Sequence, residues 1–326
     1  MADLVPASAE IALLVMACVV LLVDVNLARE QRRWTYWLSQ ASIVVTGYFL
    51  WDAYTAETVI AFSGSFKLDF LAVVLKATVL LMMVFVFAYS RKYLEDRDLD
   101  QGEYYLLALF AVLGMLILIS ASSMLTIYLG LELLSLSLYA MVAMHKSSGA
   151  ASEAAMKFFV LGALASGMLL YGMSMIYGAT GTLTISEIAA AIKVADPTDK
   201  VLILGTVFIV VGIAFKLGAV PFHMWIPDVY QGAPSSVTLF IGTVPKLAGF
   251  AMLIRLLAEG LDGVHQHWQD MLIIMAILSM AIGNIAAVAQ TNIKRMLAYS
   301  TIAHVGFLFL GIIPGTAASY GAAMFY

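Results

Sequence analysis

Runs of about 20 consecutive apolar residues constrain this chain more than anything else in it, because each is long enough to cross the roughly 30 Å hydrocarbon core of a bilayer. They lie near residues 11–27, 35–54, 68–90, 104–120, 122–144, 153–178, 200–220, 236–258, 270–290 and 296–313, and residues 316–326 open another. A backbone surrounded by lipid has to satisfy its own hydrogen bonds, so each run is expected to be a helix. Composition argues against a soluble alternative. Of 326 residues, 63% are hydrophobic and 12% charged, about half the charge a soluble domain carries. The expected fold class is therefore all-α, a polytopic transmembrane helix bundle with the lipid bilayer as its solvent.

Other function classes fall away on the same reading. The net charge is -4 and no basic run is present, which excludes a nucleic-acid partner. A single cysteine, Cys18, can form neither an internal disulfide framework nor a cysteine-ligated iron–sulfur cluster. Asp3 and Glu10 precede the first apolar run without any Lys or Arg. That is the reverse of a cleavable signal, so this run is expected to stay as a membrane helix.

Lys and Arg set the orientation. The first connection holds Arg29, Arg32 and Arg33, the third Arg91, Lys92 and Arg97, the fifth Lys146, and the ninth Lys294 and Arg295. With alternating spans these share one side, which the positive-inside rule makes cytoplasmic, so the amino terminus is expected outside. Lys67, Lys193, Lys200 and Arg255 fall on the other side. His265, His267 and Trp268 lie in an outer loop, where Trp268 reads as an interfacial belt residue.

Four lysines, Lys76, Lys157, Lys216 and Lys246, and one carboxylate, Glu132, fall within spans. A charge at mid-bilayer costs about 2.5–3.5 kcal/mol, so such residues face a partner, a cavity or an ion path. The stretch GTVFIVVGIAFKLGAVPFHMWIPDVYQGAP (205–234) also departs from an ordinary span. Pro221 is expected to break the helix beside Lys216 and free the Leu217 carbonyl, and Pro245, just before Lys246, to free that of Ile241. Broken helices at membrane depth belong where they line a cavity or an ion site.

Glu132, Lys157, Lys216 and Lys246 occupy four successive spans. Moving protons through a membrane needs such a row of groups, each able to hold or release a proton as burial and a neighbour's charge dictate. His223, Tyr299 and His304 are further relay candidates. Bland readings stand beside these. Lys76 suits either snorkelling or a structural pair. Lys157 follows Glu153 by four residues and suits an ordinary helix pair. Glu132 could sit in a static buried ion pair, and His223 could cap freed carbonyls. Ala163 and Gly167 have a spacing that suits close helix contact.

The stretches GLELLSLSLYAMVA (130–143), EAAMKFFVLGALASGMLLYGMSMIYGATGT (153–182), FKLGAVPFHMWIPDVYQGAPSSVTLFIGTVPKLAGF (215–250) and GNIAAVAQTNIKRMLAYSTIAHVGF (283–307) resemble the N subunit of proton-pumping NADH:quinone oxidoreductase, respiratory complex I. This is an antiporter-like family similar to Mrp sodium/proton antiporter chains. The resemblance is dense over 104–313 and topological before that. It implies an inverted-repeat fold with a broken helix, divided here into helices 1–3 (1–100), a first five-helix repeat (101–262) and the start of a second repeat (263–326). It implies proton-translocating roles for Glu132, Lys157, Lys216 and Lys246, with His223 and His304 as possible relays. It places no cofactor or metal in this chain. NADH, FMN, iron–sulfur clusters and quinone are expected in other subunits, and other membrane subunits of complex I are the expected partners, in a bacterial-type plasma membrane. The chain begins at Met1 and ends at Tyr326 inside an eleventh span, so a carboxy-terminal remainder is expected. An Mrp-type antiporter chain working without an electron donor is the alternative.

Overall fold

Every apolar run becomes a helix. The computed structural model describes residues 2–28, 31–99, 102–196 and 198–326; Met1 and Arg29 lie outside the described residues. In chain order come α1 (Ser8–Asn26), α2 (Arg33–Asp52), a hairpin of β1 (Val59–Ala61) and β2 (Phe66–Leu68), α3 (Phe70–Asp96), α4 (Gly102–Ser120), α5 (Met124–Val142) and α6 (Gly149–Thr180). There follow α7 (Ile185–Val194), α8 (Lys200–Leu217), α9 (Trp225–Gly232), α10 (Ser235–Leu253), α11 (His265–Val288), α12 (Ile293–Ile312) and α13 (Ala317–Phe325). Among the described residues nine helices are long and apolar enough to cross a membrane. α2 is of similar length but buries Thr35, Ser39, Ser42 and Thr46. Ser39, Ser42 and Thr46 donate to carbonyls one turn back, at 2.7–2.8 Å, so these hydroxyls are satisfied without leaving the helix.

The chain divides into two compact units, one of Met1–Ser152 with Ala233–Ala251 and one of Glu153–Gly232 with Met252–Tyr326. In the first, α4 is buried nearly all round and lies flush against α5. A Cβ on Gly114 would stand 2.6 Å from the Leu134 amide nitrogen and 2.8 Å from the Gly130 carbonyl oxygen, so only glycine admits this backbone approach. Tyr104 donates to Ser90 at 2.9 Å and stands edge-on to Tyr105 at 5.3 Å. β1 and β2 pair antiparallel, Val59 opposite Leu68. The hairpin is tied to the α4–α5 connection by the Ser122 N–H, which donates to Ser65 at 3.0 Å.

In the second unit the close approaches include Gly172 on α6 with Gly205 on α8, and Gly283 on α11 with Ala303 on α12. Gly167 has open space where its Cβ would be, so the small-residue spacing at Ala163 and Gly167 marks no contact there. A close approach on α6 lies five residues further on, at Gly172. Trp268 is fully buried, donates to the Leu261 carbonyl at 2.9 Å and stacks on His265 at 4.3 Å. It is a core residue rather than an interfacial one, because α11 starts at His265 and turns the indole inward. After Leu253 the helix continues as π turns through Ile254–Gly260, which bury Arg255 completely. Neither the hairpin nor α7 is anticipated by the apolar pattern, since both are short segments between spans.

Candidate functional site

α8 ends at Leu217 because Gly218 takes a left-handed conformation (φ 86°), its N–H reaching the Ala214 and Phe215 carbonyls while the Ala219 N–H also reaches Ala214. This glycine cap stops the helix four residues before Pro221. The expected break is present, but glycine sets it and the proline lies in the connecting loop. The chain then folds back. The Trp225 indole N–H donates to the Phe215 carbonyl at 3.0 Å and stacks on Phe158 of α6 at 4.5 Å. The Val220 N–H donates to Ser279 Oγ at 2.9 Å. These contacts tie the start of α9 to α8 and α6, and the loop before it to α11.

Lys216 sits half-buried in the last turn of α8. The unpaired carbonyls at a helix C-terminus favour a cation there. Lys246 is half-buried in α10, which runs unbroken through Pro245. The proline removes one donor without ending the helix. Glu132 is half-buried midway along α5, with Tyr139 within electrostatic reach. Glu132 and Lys246 belong to the first unit, Lys157 and Lys216 to the second.

Lys157 is where several charges converge. Its Nζ lies 2.8 Å from Glu153, the ordinary helix pair, and 2.7 Å from Asp228 Oδ2 on α9. The other Asp228 oxygen lies 2.6 Å from Arg295 Nη1 on α12, and that nitrogen also donates to Gln231 at 3.1 Å. One carboxylate thus joins α6, α9 and α12. Burial alone would raise the Asp228 carboxyl, but the hydrogen bonds from Lys157 and Arg295 outweigh it and hold the group below the usual range. Asp228 is the functional candidate that reading the sequence passed over. Its signal, a lone acid inside PDVYQGAP, becomes meaningful only when the fold presents two cations to it.

His223 lies half-buried in the loop after α8 with its Nδ1 buried. His304 is exposed on α12, and its Nδ1 contacts the Tyr326 hydroxyl. Tyr299 lies half-buried on α12. Lys76 neither snorkels nor borders water. It is fully buried and paired with Glu10 of α1. Arg255 pairs with Glu259 one turn on.

The family model described as "NADH:quinone oxidoreductase/Mrp antiporter, TM" matches residues 121–326. The NADH-quinone oxidoreductase subunit N of Thioalkalivibrio sulfidiphilus is 55% identical over 325 residues, 99% of this chain and 68% of that protein. A chain in the structure of respiratory complex I from Thermus thermophilus with bound aureothin superposes with a TM-score of 0.80 at 33% identity, over 96% of this chain and 66% of that one. A chain of the Mrp complex from Dietzia sp. superposes at 0.79 with 20% identity, over 98% of this chain and 61% of that one. At that identity the last likeness concerns the fold alone. The chain spans about two thirds of the length of the relatives it matches.

Proposed function

The chain belongs to the NADH:quinone oxidoreductase/Mrp antiporter membrane family, with subunit N relatives, and from that premise we propose that it moves protons as a membrane subunit of an NADH-quinone oxidoreductase. The observation that carries the reading is 55% identity to a subunit N over nearly the whole chain. The antiporter alternative draws on a likeness at 20% identity, too remote to carry function.

The chemistry follows from Glu132, Lys157, Lys216 and Lys246. An ammonium in low dielectric keeps its proton while a carboxylate faces it and sheds it to water when that carboxylate turns elsewhere. Lys216, beside the end of a capped helix, is the group we assign to central proton holding, and Glu132 is the carboxylate of the row. Lys157 has Asp228 as a second carboxylate beside Glu153, and both favour its protonated form. His223 and His304 are the relay candidates. The proton is the only species transferred here. Electron transfer through NADH, FMN, iron–sulfur clusters and quinone is assigned to other subunits, and other membrane subunits are the partners. The outer amino terminus and the division into 1–100, 101–262 and 263–326 belong to the same proposal.

The test is purification of the full-length tagged chain from its native membranes, with inhibitor-sensitive NADH:quinone reductase activity and proton uptake measured in vesicles. We expect the activity and a large assembly to accompany the chain. Glu132→Gln and Lys216→Met should each abolish proton uptake while the assembly persists. Sodium/proton exchange without NADH oxidation would instead select the antiporter reading.

A further inference from the structure

Outside the Glu132–Lys246 row, the first three helices contain a buried ion pair that the proposed function leaves unused. Lys76, in the second turn of α3, is fully buried, and Glu10, in the first turn of α1, is 6% exposed. Lys76 Nζ donates to Glu10 Oε1 and lies 4.8 Å from the centre of the Phe66 ring. Phe66 is held in place by β1 and by a bridge to Ala121 at the start of the α4–α5 connection. The second carboxylate oxygen, Glu10 Oε2, is buried and makes no hydrogen bond among the described residues.

A pair kept only for stability has both carboxylate oxygens on donors, since a buried acceptor left unmade is costly. Here one oxygen is saturated by the lysine and the other is left over. An intramembrane ionisable pair is a candidate functional site by default, and this one has the parts to exist in two charge states. We propose that Glu10 and Lys76 form a further proton-holding site, in which Glu10 Oε2 takes up and releases a proton. When the proton adds, the carboxylate becomes a neutral carboxylic acid, Oε1 still accepts from Lys76, and the site's net charge rises from zero to plus one. The ammonium, its counter-ion neutralised, keeps the face of Phe66 as a cation–π partner. When the proton leaves, the original pair re-forms and no other bond changes. Glu10 lies in the first turn of α1, and Asp3, Leu4 and Val5, a few residues before it in the chain, are exposed. The proposal rests on the reading of the chain as a proton-moving subunit.

The experiment uses the assembled complex carrying the full-length chain, with infrared difference spectra recorded on adding NADH and proton uptake followed in vesicles. Wild-type complex should show a protonated-carboxyl band during turnover, and Glu10→Gln should lose it. Glu10→Gln should also assemble normally, because the amide imitates the neutral acid, and its proton uptake per NADH should fall. Lys76→Met should assemble poorly, since it leaves a lone buried carboxylate. Phe66→Leu should assemble but lose part of the band. The proposal is overturned if Glu10→Gln leaves the spectrum unchanged. It is equally overturned if both single variants lose assembly alike while Glu10→Gln/Lys76→Met restores wild-type assembly and uptake, the behaviour of a static pair. A wild-type complex that oxidises NADH without taking up protons would defeat the functional reading itself.

Discussion

In the first unit the charges of Glu10 and Lys76 are sealed among apolar side chains, with side-chain exposures of 7% and 0%, whereas in the second Lys157, Asp228 and Arg295 keep 44%, 31% and 29%. The distances are comparable, yet the energetics are not. Attraction between charges scales inversely with the local dielectric, so the sealed pair is strongly coupled and poorly screened. Removal of Lys76 strands a carboxylate that water cannot reach, whereas an amide in place of Glu10 still offers the ammonium an acceptor beside the Phe66 ring. The open cluster is cheap to rearrange. Lys157 already divides itself between Glu153 and Asp228, and water can replace either. The first can gain or lose a proton without a change of partner, and the second is built to exchange partners.

The difference can be tested, beginning with the change expected to have the greatest effect. Lys76→Met strands Glu10 and should cost about 3–5 kcal/mol, read as a lowered unfolding temperature of the complex in detergent. A cost below that of Asp228→Asn would remove the distinction between sealed and open charge. Gly218→Ala forces a side chain into the left-handed region at φ 86° and should cost roughly 1–2 kcal/mol. Because this cap ends α8 ahead of the loop that leads into α9, the same variant should loosen Asp228 from Lys157, visible as faster proteolysis or hydrogen exchange over residues 218–232. Asp228→Asn should change stability by no more than about 1 kcal/mol, as expected for partly exposed pairs. Its clearest mark is the pH response. A carboxyl held below its usual value in the folded state adds stability that is present above its unfolded value of about 3.9 and lost as pH falls through the depressed one. Wild type should therefore lose this increment on acidification, and Asp228→Asn should show no such loss. High salt should diminish the wild-type advantage over Asp228→Asn but leave the effect of Lys76→Met nearly intact, since about 1 M salt shortens the screening length to roughly 3 Å only where ions can enter.

Much of the fold was legible because the bilayer leaves the backbone few choices. A run of about 20 apolar residues has to become a helix, and helices α1, α3 to α6, α8 and α10 to α12 all fall on such runs. The interruption after Lys216 was also legible, though the residue responsible was not. The glycine, proline and lysine of FKLGAVPFH lie within a few positions, and only backbone geometry distinguishes the cap at Gly218 from the loop at Pro221. What was hidden concerns partners far apart in sequence. Glu10 and Lys76 are 66 residues apart, and Lys157 and Asp228 are 71 apart. Glu10 looks in sequence like a flanking acid, Arg295 like one more basic residue in a connection, and Trp268 like an interfacial tryptophan.

By itself, then, the sequence determined the helical class, the placement of the apolar runs, and most of the charged residues that lie within them. These depend on local hydrophobicity and on hydrogen bonds closed within a single helix. Tertiary structure alone decided which charge faces which, and which of them are sealed from water. Burial and pairing are set by side chains from separate helices, brought together by close approaches such as that of Gly114 to α5, and no local pattern encodes them.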